Sequence, residues 1–225
     1  ELIKWAFENF GEKAAIGTSF QLSGSVIIDI ASKAVDDFRI FTVDTCRLHP
    51  ETEEAISAAE DRYGVPVERF KPDAGRVKEM VERFGEYLFF DDKAKQEYCC
   101  SIRKVEPNTA ALETLSVWIT GLRRDQSKAR ESAPKSEILS EWDHKILKLS
   151  PLIDWTAQDV WKYVRDNDVP YNTLFDKGYD SVGCIICSTP LNSGEAPRSG
   201  RWRWFNGSDD KKECGIHIPK KGEDK

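Results

Sequence analysis

The stretch AAIGTSFQLSGSVIIDIASKA, residues 14–34, contains the strand-to-helix join that decides the fold. Its first part, AAIGTSF (14–20), ends a short apolar strand, and SGSVIIDIASKA (23–34) opens an apolar helix. The Ser and Gly residues between these segments are typical of a tight turn. Backbone N–H groups and hydroxyls at such a turn can bind phosphate, although Ser and Gly are also ordinary helix caps.

Strand-like and helix-like segments continue to alternate along the chain. PETEEAISAAEDRYG (50–64) has Pro50 near its start and Gly64 at its end, as helices commonly do. Thr156 is placed to cap the late helix TAQDVWKYVRDND (156–168). This alternation predicts an α/β fold with a mostly parallel sheet flanked by helices. The other segments are the strands FRIFTVD (38–44), VPVERF (65–70) and SVWITG (116–121) and the helix DAGRVKEMVERFG (73–85).

Three polar segments directly follow predicted strands. They are GTSFQLSGS (17–25), VDTCRLHPE (43–51) and TGLRRDQSKAR (120–130). Ligands of parallel sheets bind beyond the carboxyl ends of the strands, so we expect the three segments to line one crevice. The first segment is not a Walker A loop, because it lacks the GK[ST] ending.

Composition and charge exclude several function classes. The 225 residues are 40% hydrophobic and carry a net charge of −6, so nothing global indicates a nucleic-acid or membrane binder. No apolar run approaches the roughly 20 residues that span a bilayer. Six cysteines are too few for a disulfide scaffold of this length. Their clustering points to a metal or redox role in a reducing compartment, and we expect a cytoplasmic protein.

Four of the six cysteines occur in two close pairs. Cys99 and Cys100 are adjacent, and Cys184 and Cys187 form a CxxC. A structural zinc site usually takes two CxxC pairs, a geometry that adjacent cysteines fit poorly. A 4Fe–4S cluster offers four separate irons, so the spacing favours a cluster over zinc and leaves zinc as the alternative. Cys46 is assigned no role and is expected to be a small buried side chain.

The sixth cysteine, Cys214, lies in KKECGIH near the C-terminus. Nearby Lys211, Lys212 and His217 would lower its pKa and supply thiolate at neutral pH. We interpret it as a nucleophile, against the alternative of an incidental surface cysteine. From about Ser181 the chain loses periodicity, which predicts a long ordered loop and then a mobile tail.

Two groups of arginines are candidate binding sites for an anionic ligand, because a guanidinium can form bidentate hydrogen bonds with an anion. One alternative is that these arginines simply belong to a solvated surface. A second alternative is that RWRW binds single-stranded nucleic acid through stacking and charge, but the negative net charge of the protein disfavours this interpretation. The first group is Arg123, Arg124 and Arg130, and the second is Arg198, Arg201 and Arg203.

Taken together, the motifs resemble the assimilatory adenylylsulfate (APS) reductases, the iron–sulfur branch of the phosphoadenylylsulfate (PAPS) reductase family. The similarity runs nearly end to end, and the ordered set is far more specific than any single motif. It comprises SFQLSGS (19–25), VDTCRLHPET (43–52), CCSIRKVEP (99–107), WITGLRRDQS (118–127), VPYNTLFDKGYDSVGCIIC (169–187), GRWRW (200–204) and ECGIH (213–217). Cys46 is a departure, since the family usually has Gly in that motif.

The resemblance implies an adenine nucleotide α-hydrolase-like fold, with a domain at 1–196 and a mobile C-terminal segment at 197–225. It implies reduction of APS to sulfite and AMP in cysteine biosynthesis, through an S-sulfonate on Cys214. It further implies one 4Fe–4S cluster per subunit, a thioredoxin or glutaredoxin reductant and a homo-oligomer. The implied cluster ligands are Cys99, Cys100, Cys184 and Cys187, with Lys104 beside them. Ser19, Ser23, Gly24 and Ser25 would hold the phosphate; Val43, Asp44 and Gly121 would border adenosine; Arg130, Arg198, Arg201 and His217 would neutralise the phosphosulfate.

Other interpretations remain open from the sequence. The alternative substrate is PAPS, alone or together with APS. A nucleotide-dependent adenylating or sulfur-inserting enzyme of the same fold would be expected to carry SGGxDS, which the turn at 19–25 lacks. A non-enzymatic, zinc-bound interaction module is a further possibility.

Overall fold

A computed structural model describes residues 1–140, 144–205 and 216. Within these residues, six strands form one sheet: β1 Ala14–Gly17, β2 Ile40–Val43, β3 Val67–Phe70, β4 Val117–Thr120, β5 Ser136–Leu139 and β6 Ile146–Leu149. Their spatial order is β3-β2-β1-β4-β6-β5. Every neighbouring pair is parallel except β5 and β6. The predicted mostly parallel sheet is therefore confirmed, and the strand order reverses beside β1, where such sheets bind ligands.

Helices cover both faces of the sheet because alternate strand residues point to opposite sides. Ile16 and Ile119 join one core with α1, α2, α3 and α7, whereas Ala15 and Trp118 join a second core with α6. Both faces of the central strands are thus buried. The helices are α1 Leu2–Phe10, α2 Leu22–Ala34, α3 Pro50–Tyr63, α4 Ala74–Phe84, α5 Lys93–Cys100, α6 Glu106–Leu112 and α7 Ala157–Asp166.

Local signals correctly predicted several helix boundaries. Helix α3 begins at Pro50 and ends before Gly64, whose φ of 67° is a left-handed conformation that glycine adopts readily. At the start of α7, Thr156 and Asp159 form a reciprocal capping box. The sequence analysis assigned no element to β5, β6 or α5–α6. Length does not explain the two missed strands, because the four predicted strands also have four residues each. Strand β5, SEIL, lies at the sheet edge with exposed and half-buried residues, so it lacks the apolar run of a buried strand.

Between residues 182 and 205 the chain is ordered but has little regular structure, as expected. It contains a short 3₁₀ turn at Ile185–Cys187 and one bridge between Ser188 and Arg201. Trp202 is only 1% exposed. The chain therefore packs against the body beyond residue 196. None of the described helices combines the length and apolar character needed to cross a bilayer.

We predict that Asp29→Ala lowers the free energy of unfolding by about 3 kcal/mol, because it removes the shared acceptor of a buried network. Asp29 is 1% exposed and accepts hydrogen bonds from Tyr63 (3.1 Å), Tyr163 (2.8 Å) and Lys33 (2.6 Å), which joins α2 to α3 and α7. Burial and this carboxylate raise the pKa of both tyrosines, so their hydroxyls stay protonated and donate. Chemical denaturation measures the change.

The control for this prediction is Glu8→Ala, which breaks an exposed ion pair with Lys4 at 3.7 Å. Exposed pairs of this kind contribute about 0.5 kcal/mol or less. Equal losses in the two variants would show that the Asp29 network adds nothing beyond a surface contact.

Candidate active site

The turn between β1 and α2 presents a helix N-terminus to the edge of the sheet. Gln21 occupies the N-cap position of α2 without capping it through its side chain. Its side chain donates to Ser19 Oγ (3.0 Å) and accepts from the backbone of Val182 (3.1 Å). The turn is thereby tied to the segment that follows Ser181. The N-terminus of a helix of this length favours anions through its N–H groups and its dipole.

Glycine is required inside this turn for steric reasons. A Cβ atom on Gly24 would overlap the hydroxyl of Thr18, which accepts a hydrogen bond from the N–H of Phe20 at 2.9 Å. A Cβ atom on Gly121 would lie 3.0 Å from two atoms of Ser23. The loops after β1 and β4 are therefore in direct contact.

A cleft of about 1130 Å³, partly open to solvent, lies beyond the carboxyl ends of β1, β2 and β4. It brings together all three polar segments, as the sequence analysis expected. Of the implied site residues, its lining includes Ser19, Ser23, Gly24, Val43, Lys104, Gly121, Arg130, Arg198 and Arg201. Ser25 and Asp44 are buried but are not part of the described lining. The Asp44 carboxylate accepts from the N–H of Cys46 at 2.9 Å.

One part of the cleft lining is apolar and is called the slot here: it consists of Phe41, Val43 and Trp118. A Cβ on Gly17 would overlap both aromatic rings, so glycine at this position lets the rings pack against β1. Aromatic side chains of this kind can stack on a flat aromatic group. Sequence reasoning missed Phe41 and Trp118, because within strands they read only as core residues. It also missed the cleft residues Gln21, Asn108 and Gln126, whose type carries no specific signal.

Another part of the cleft lining is cationic. Arg201 is 4% exposed and donates to the carbonyl of Cys187 and the hydroxyl of Ser181, each at 3.2 Å. Its Nη2 is buried and has no hydrogen-bond partner among the described residues. A Cβ on Gly183 would overlap this guanidinium. A buried cation with an unused donor beside a cleft can be compensated by an anion.

The structure separates the arginines that the sequence grouped together. Arg124 pairs with Asp154 and donates to the carbonyl of Ala133 (3.0 Å), outside the described cleft lining. Arg203 pairs with Glu195 and lowers the pKa of that carboxyl to about 2. These two arginines are structural, and their anions are supplied by the protein.

A second feature, the four paired cysteines, lies next to this cationic part. Cys99, Cys100, Cys184 and Cys187 are 6–7% exposed and share one cluster with Met80, Leu88, Ile102 and Trp202. Cys99 and Cys100 end α5 and are followed by a π-helical turn at Ser101–Val105. Such turns frequently occur at functional sites. The fold thus brings together two pairs that are far apart in sequence.

The surroundings of the thiols combine burial with positive charge. Burial raises the pKa of Cys99, and it raises the pKa of Cys187 to about 11. Burial also opposes ionisation of Cys184, but Lys104 and the hydroxyl of Thr45, 3.4 Å from its sulfur, outweigh burial and lower its pKa. The amide of Gln96 donates to the sulfur of Cys100 at 3.1 Å.

The chemistry of this donor set is compatible with an iron–sulfur cluster. Four buried thiols among cations provide the thiolate ligands that such a cluster takes. In the part of the chain that the structure describes, no three His, Cys, Asp or Glu side chains are arranged around one metal ion. A 4Fe–4S cube does not require that arrangement, since each thiolate binds a different iron.

The expected burial of Cys46 was wrong, because its side chain is exposed. Its φ of 57° places it in a left-handed turn, which Asp44 stabilises through the N–H of Cys46. The implied residues Cys214 and His217 lie outside the described residues. Ile216, between them, is described, half-buried and part of the cleft lining.

Comparison with known proteins places this geometry in a family context. The phosphoadenosine phosphosulfate reductase domain matches residues 13–190. A protein of Allochromatium vinosum, called adenosine 5'-phosphosulfate reductase, is 38% identical over 92% of this chain and 79% of its own length. A Burkholderia cepacia protein of the same name is 42% identical over 84% of this chain and 74% of its own length.

Solved structures show the same relationship. The phosphate complex of PAPS reductase from Candida auris matches with a TM-score of 0.69 and 28% identity, covering 82% of this chain and 87% of that one. FMN adenylyltransferase of Candida glabrata matches with a TM-score of 0.57 at 13% identity, covering 94% of this chain and 70% of that one. The latter shows the shared adenine nucleotide α-hydrolase-like fold alone. With its family match over most of its length and its close relatives, the chain belongs to the phosphoadenosine phosphosulfate reductase domain family.

Proposed function

We propose that this protein is an adenylylsulfate reductase, an oxidoreductase that converts APS to sulfite and AMP in sulfate assimilation and cysteine biosynthesis. The observation that carries the proposal is the cleft lining, which combines the aromatic rings of Phe41 and Trp118, the N-terminus of α2 and the cationic residue Arg201, whose buried Nη2 has no hydrogen-bond partner among the described residues. These three parts match the chemistry of the adenine, the phosphate and the sulfate of APS. Relatives named adenosine 5'-phosphosulfate reductase support the assignment.

In this arrangement the adenine occupies the slot beside Phe41 and Trp118, with Val43 and Gly121 bordering the nucleoside. Asp44 contributes indirectly, because its carboxylate accepts a hydrogen bond from the N–H of Cys46 and so stabilises the turn at that residue. The phosphate lies at the N-terminus of α2, where Ser19 of the preceding turn and Ser23 and Gly24 of the first helical turn line the cleft and Ser25 follows them. The sulfate lies against Arg130, Arg198 and Arg201, and His217 would add charge from the C-terminal segment.

The first chemical step is nucleophilic attack on sulfur. The Cys214 thiolate forms a bond to the sulfate sulfur, and the bond to the bridging oxygen breaks. AMP leaves with that electron pair, and Cys214 carries an S-sulfonate. The arginines around the sulfate offset the charge that accumulates as this bond breaks.

The second step needs a dithiol protein, thioredoxin or glutaredoxin. One of its thiolates attacks the Cys214 sulfur and expels sulfite, which takes the electron pair of the broken sulfur–sulfur bond. The resulting mixed disulfide is resolved by the partner's second thiol, so the partner is oxidised and Cys214 returns as thiolate. These two electrons account for the whole reduction.

The ECGIH motif supports Cys214 as the nucleophile. Ile216, the one described residue of this motif, lines the cleft. In this proposal residues 1–196 are the nucleotide- and cluster-binding domain and residues 197–225 are the segment that carries Cys214, although Arg198, Arg201 and Trp202 at the start of that segment are buried against the domain.

The cysteine cluster is proposed to hold one 4Fe–4S centre per subunit. When bound, the centre would cross-link α5 to the segment at 184–187 and supply electrostatic influence without donating electrons. Lys104 is 7% exposed, lines the cleft and lowers the pKa of Cys184, so it serves both the cluster and the substrate. A homo-oligomer in the cytoplasm completes the proposal.

PAPS is the competing substrate, and the Candida auris PAPS reductase structure favours testing it. The double cysteine and the APS reductase relatives favour APS. A higher kcat/KM for PAPS than for APS would replace the proposed substrate.

We predict that Cys214→Ser abolishes S-sulfonate formation and lowers turnover at least about a thousandfold, because a hydroxyl does not replace the thiolate nucleophile. AMP binding should remain. Intact-protein mass spectrometry after incubation with APS detects the adduct. The matched control is Cys46→Ser, which alters an exposed cysteine outside the described cleft lining and should retain the adduct. Turnover that persists in Cys214→Ser would remove Cys214 from its role.

We predict that anaerobically purified protein is brown and contains about four irons and four sulfides per chain. Visible absorption together with iron and sulfide analysis measures this. Cys187→Ser should lose most of the iron, whereas Cys46→Ser should keep it. Colourless protein with one zinc per chain, before and after anaerobic reconstitution, would contradict the cluster.

We predict that Gly183→Ala lowers kcat/KM for APS about tenfold to a hundredfold, because the new Cβ displaces the Arg201 guanidinium and its charged hydrogen bonds. The displacement also weakens buried hydrogen bonds from Arg201 to Cys187 and Ser181, so the unfolding temperature should fall and kcat/KM is measured well below it. Adenosine binding should be unchanged. An unaltered kcat/KM would show that Arg201 does not contact the substrate.

A further inference from the structure

The loop that follows β4 contacts residues 19–25, which are called the phosphate turn here. We propose that Arg123 is a positioning residue that orients the hydroxyl of Ser23 toward the substrate phosphate. The inference rests on the proposed function, because it takes the cleft to be a nucleotide site. Arg123 itself belongs to the adjoining cavity and is not part of the described cleft lining.

Arg123 holds Ser23 through a buried contact. Its Nη1 donates to Ser23 Oγ, and its Nε donates to the carboxylate of Asp125 at 2.9 Å. Arg123 is 8% exposed and Ser23 is 3% exposed. A guanidinium that bonds two partners through one planar fork has little freedom to rotate.

This contact determines the direction of the Ser23 hydroxyl proton. Arginine has donors and no acceptor, so Ser23 Oγ must accept from Arg123. The single proton of Ser23 is then available to another acceptor, and Ser23 lines the cleft. A phosphate oxygen at the N-terminus of α2 is such an acceptor. The hydroxyl is therefore preset as a donor before the anion arrives, which reduces the reorganisation that binding requires.

The same loop is braced by a second helix. The other carboxylate oxygen of Asp125 accepts from the N–H of Ala157 at 2.6 Å, at the first turn of α7. The backbone N–H of Arg123 donates to Gln126 Oε1 (3.1 Å), which also accepts from Arg130 at 2.6 Å. One loop thus sets the orientation of Ser23 at the phosphate turn and of Arg130 at the cationic part.

The neighbouring arginine provides a comparison within the same motif. Arg124 also pairs with an aspartate, Asp154, but it is not part of the described cleft lining, and its side-chain hydrogen bonds go to Asp154 and Ala133, not to residues 19–25. If arginines in this loop served only to hold it together, replacing either one would have similar consequences. Only Arg123 contacts a residue of the phosphate turn.

The test compares Arg123→Lys with Arg124→Lys in the full chain, by calorimetric titration with AMP and with adenosine. Lysine keeps the charge but lacks the fork, so it cannot hold Ser23 and Asp125 in one plane. We expect Arg123→Lys to weaken AMP binding about tenfold, the effect of one lost hydrogen bond. Adenosine binding, which involves no phosphate, should be unchanged. Arg124→Lys should leave both affinities unchanged.

A double-mutant cycle with Ser23→Ala separates positioning from general damage. Since Arg123 acts through Ser23, adding Arg123→Lys to Ser23→Ala should cause no further loss of AMP affinity. Unchanged AMP affinity in Arg123→Lys, an equal loss for adenosine, or additive losses in the cycle would each overturn the inference alone. Wild-type protein that binds no AMP would overturn the proposed function and the inference together.

Discussion

Strand β1 is hydrogen-bonded in parallel to β2 on one side and to β4 on the other. The chain proceeds outward from β1 to β2 and β3, and then returns through α4, α5 and α6 to β4. The N-terminus of α2 consequently lies where the strand order reverses, with Ser23 packed against Gly121. The cleft residues that follow β1, β2 and β4 are positioned by this pairing, and so is the N-terminus of α2, whereas Val182, Gly183, Arg198, Arg201 and Ile216 come from the C-terminal part of the chain.

The cleft and the cysteine cluster share several polar and positively charged side chains. Thr45, Lys104 and Arg201 line the cleft, and each also contacts the cysteine-bearing segments or lowers the pKa of Cys184. Burying several cations together is unfavourable unless negative charge compensates them. Under the proposed function, cysteine thiolates on one side and the anionic substrate on the other would supply that compensation.

Local chemistry explains which expectations succeeded. Pro50, Gly64 and Thr156 act through backbone preferences of a few neighbouring residues, so helix boundaries could be predicted from sequence. The exposure of Cys46 could not be predicted from sequence, because it results from a left-handed turn, held by the Asp44 carboxylate, that directs the Cys46 side chain outward. The roles of Phe41 and Trp118 in the cleft were also missed, because an apolar strand residue has the same sequence pattern whether it packs a core or lines a cleft.

The sequence by itself determined the α/β class, the order of the motifs, the paired thiols and the candidate nucleophile Cys214, because these depend on residue type and local spacing. Only the tertiary structure decided which side chains meet. Arg123 and Arg124 are adjacent in sequence, yet one contacts the phosphate turn and the other pairs with Asp154. Their roles differ because they depend on partners brought from distant parts of the chain by the sheet order, and residue type does not encode those contacts.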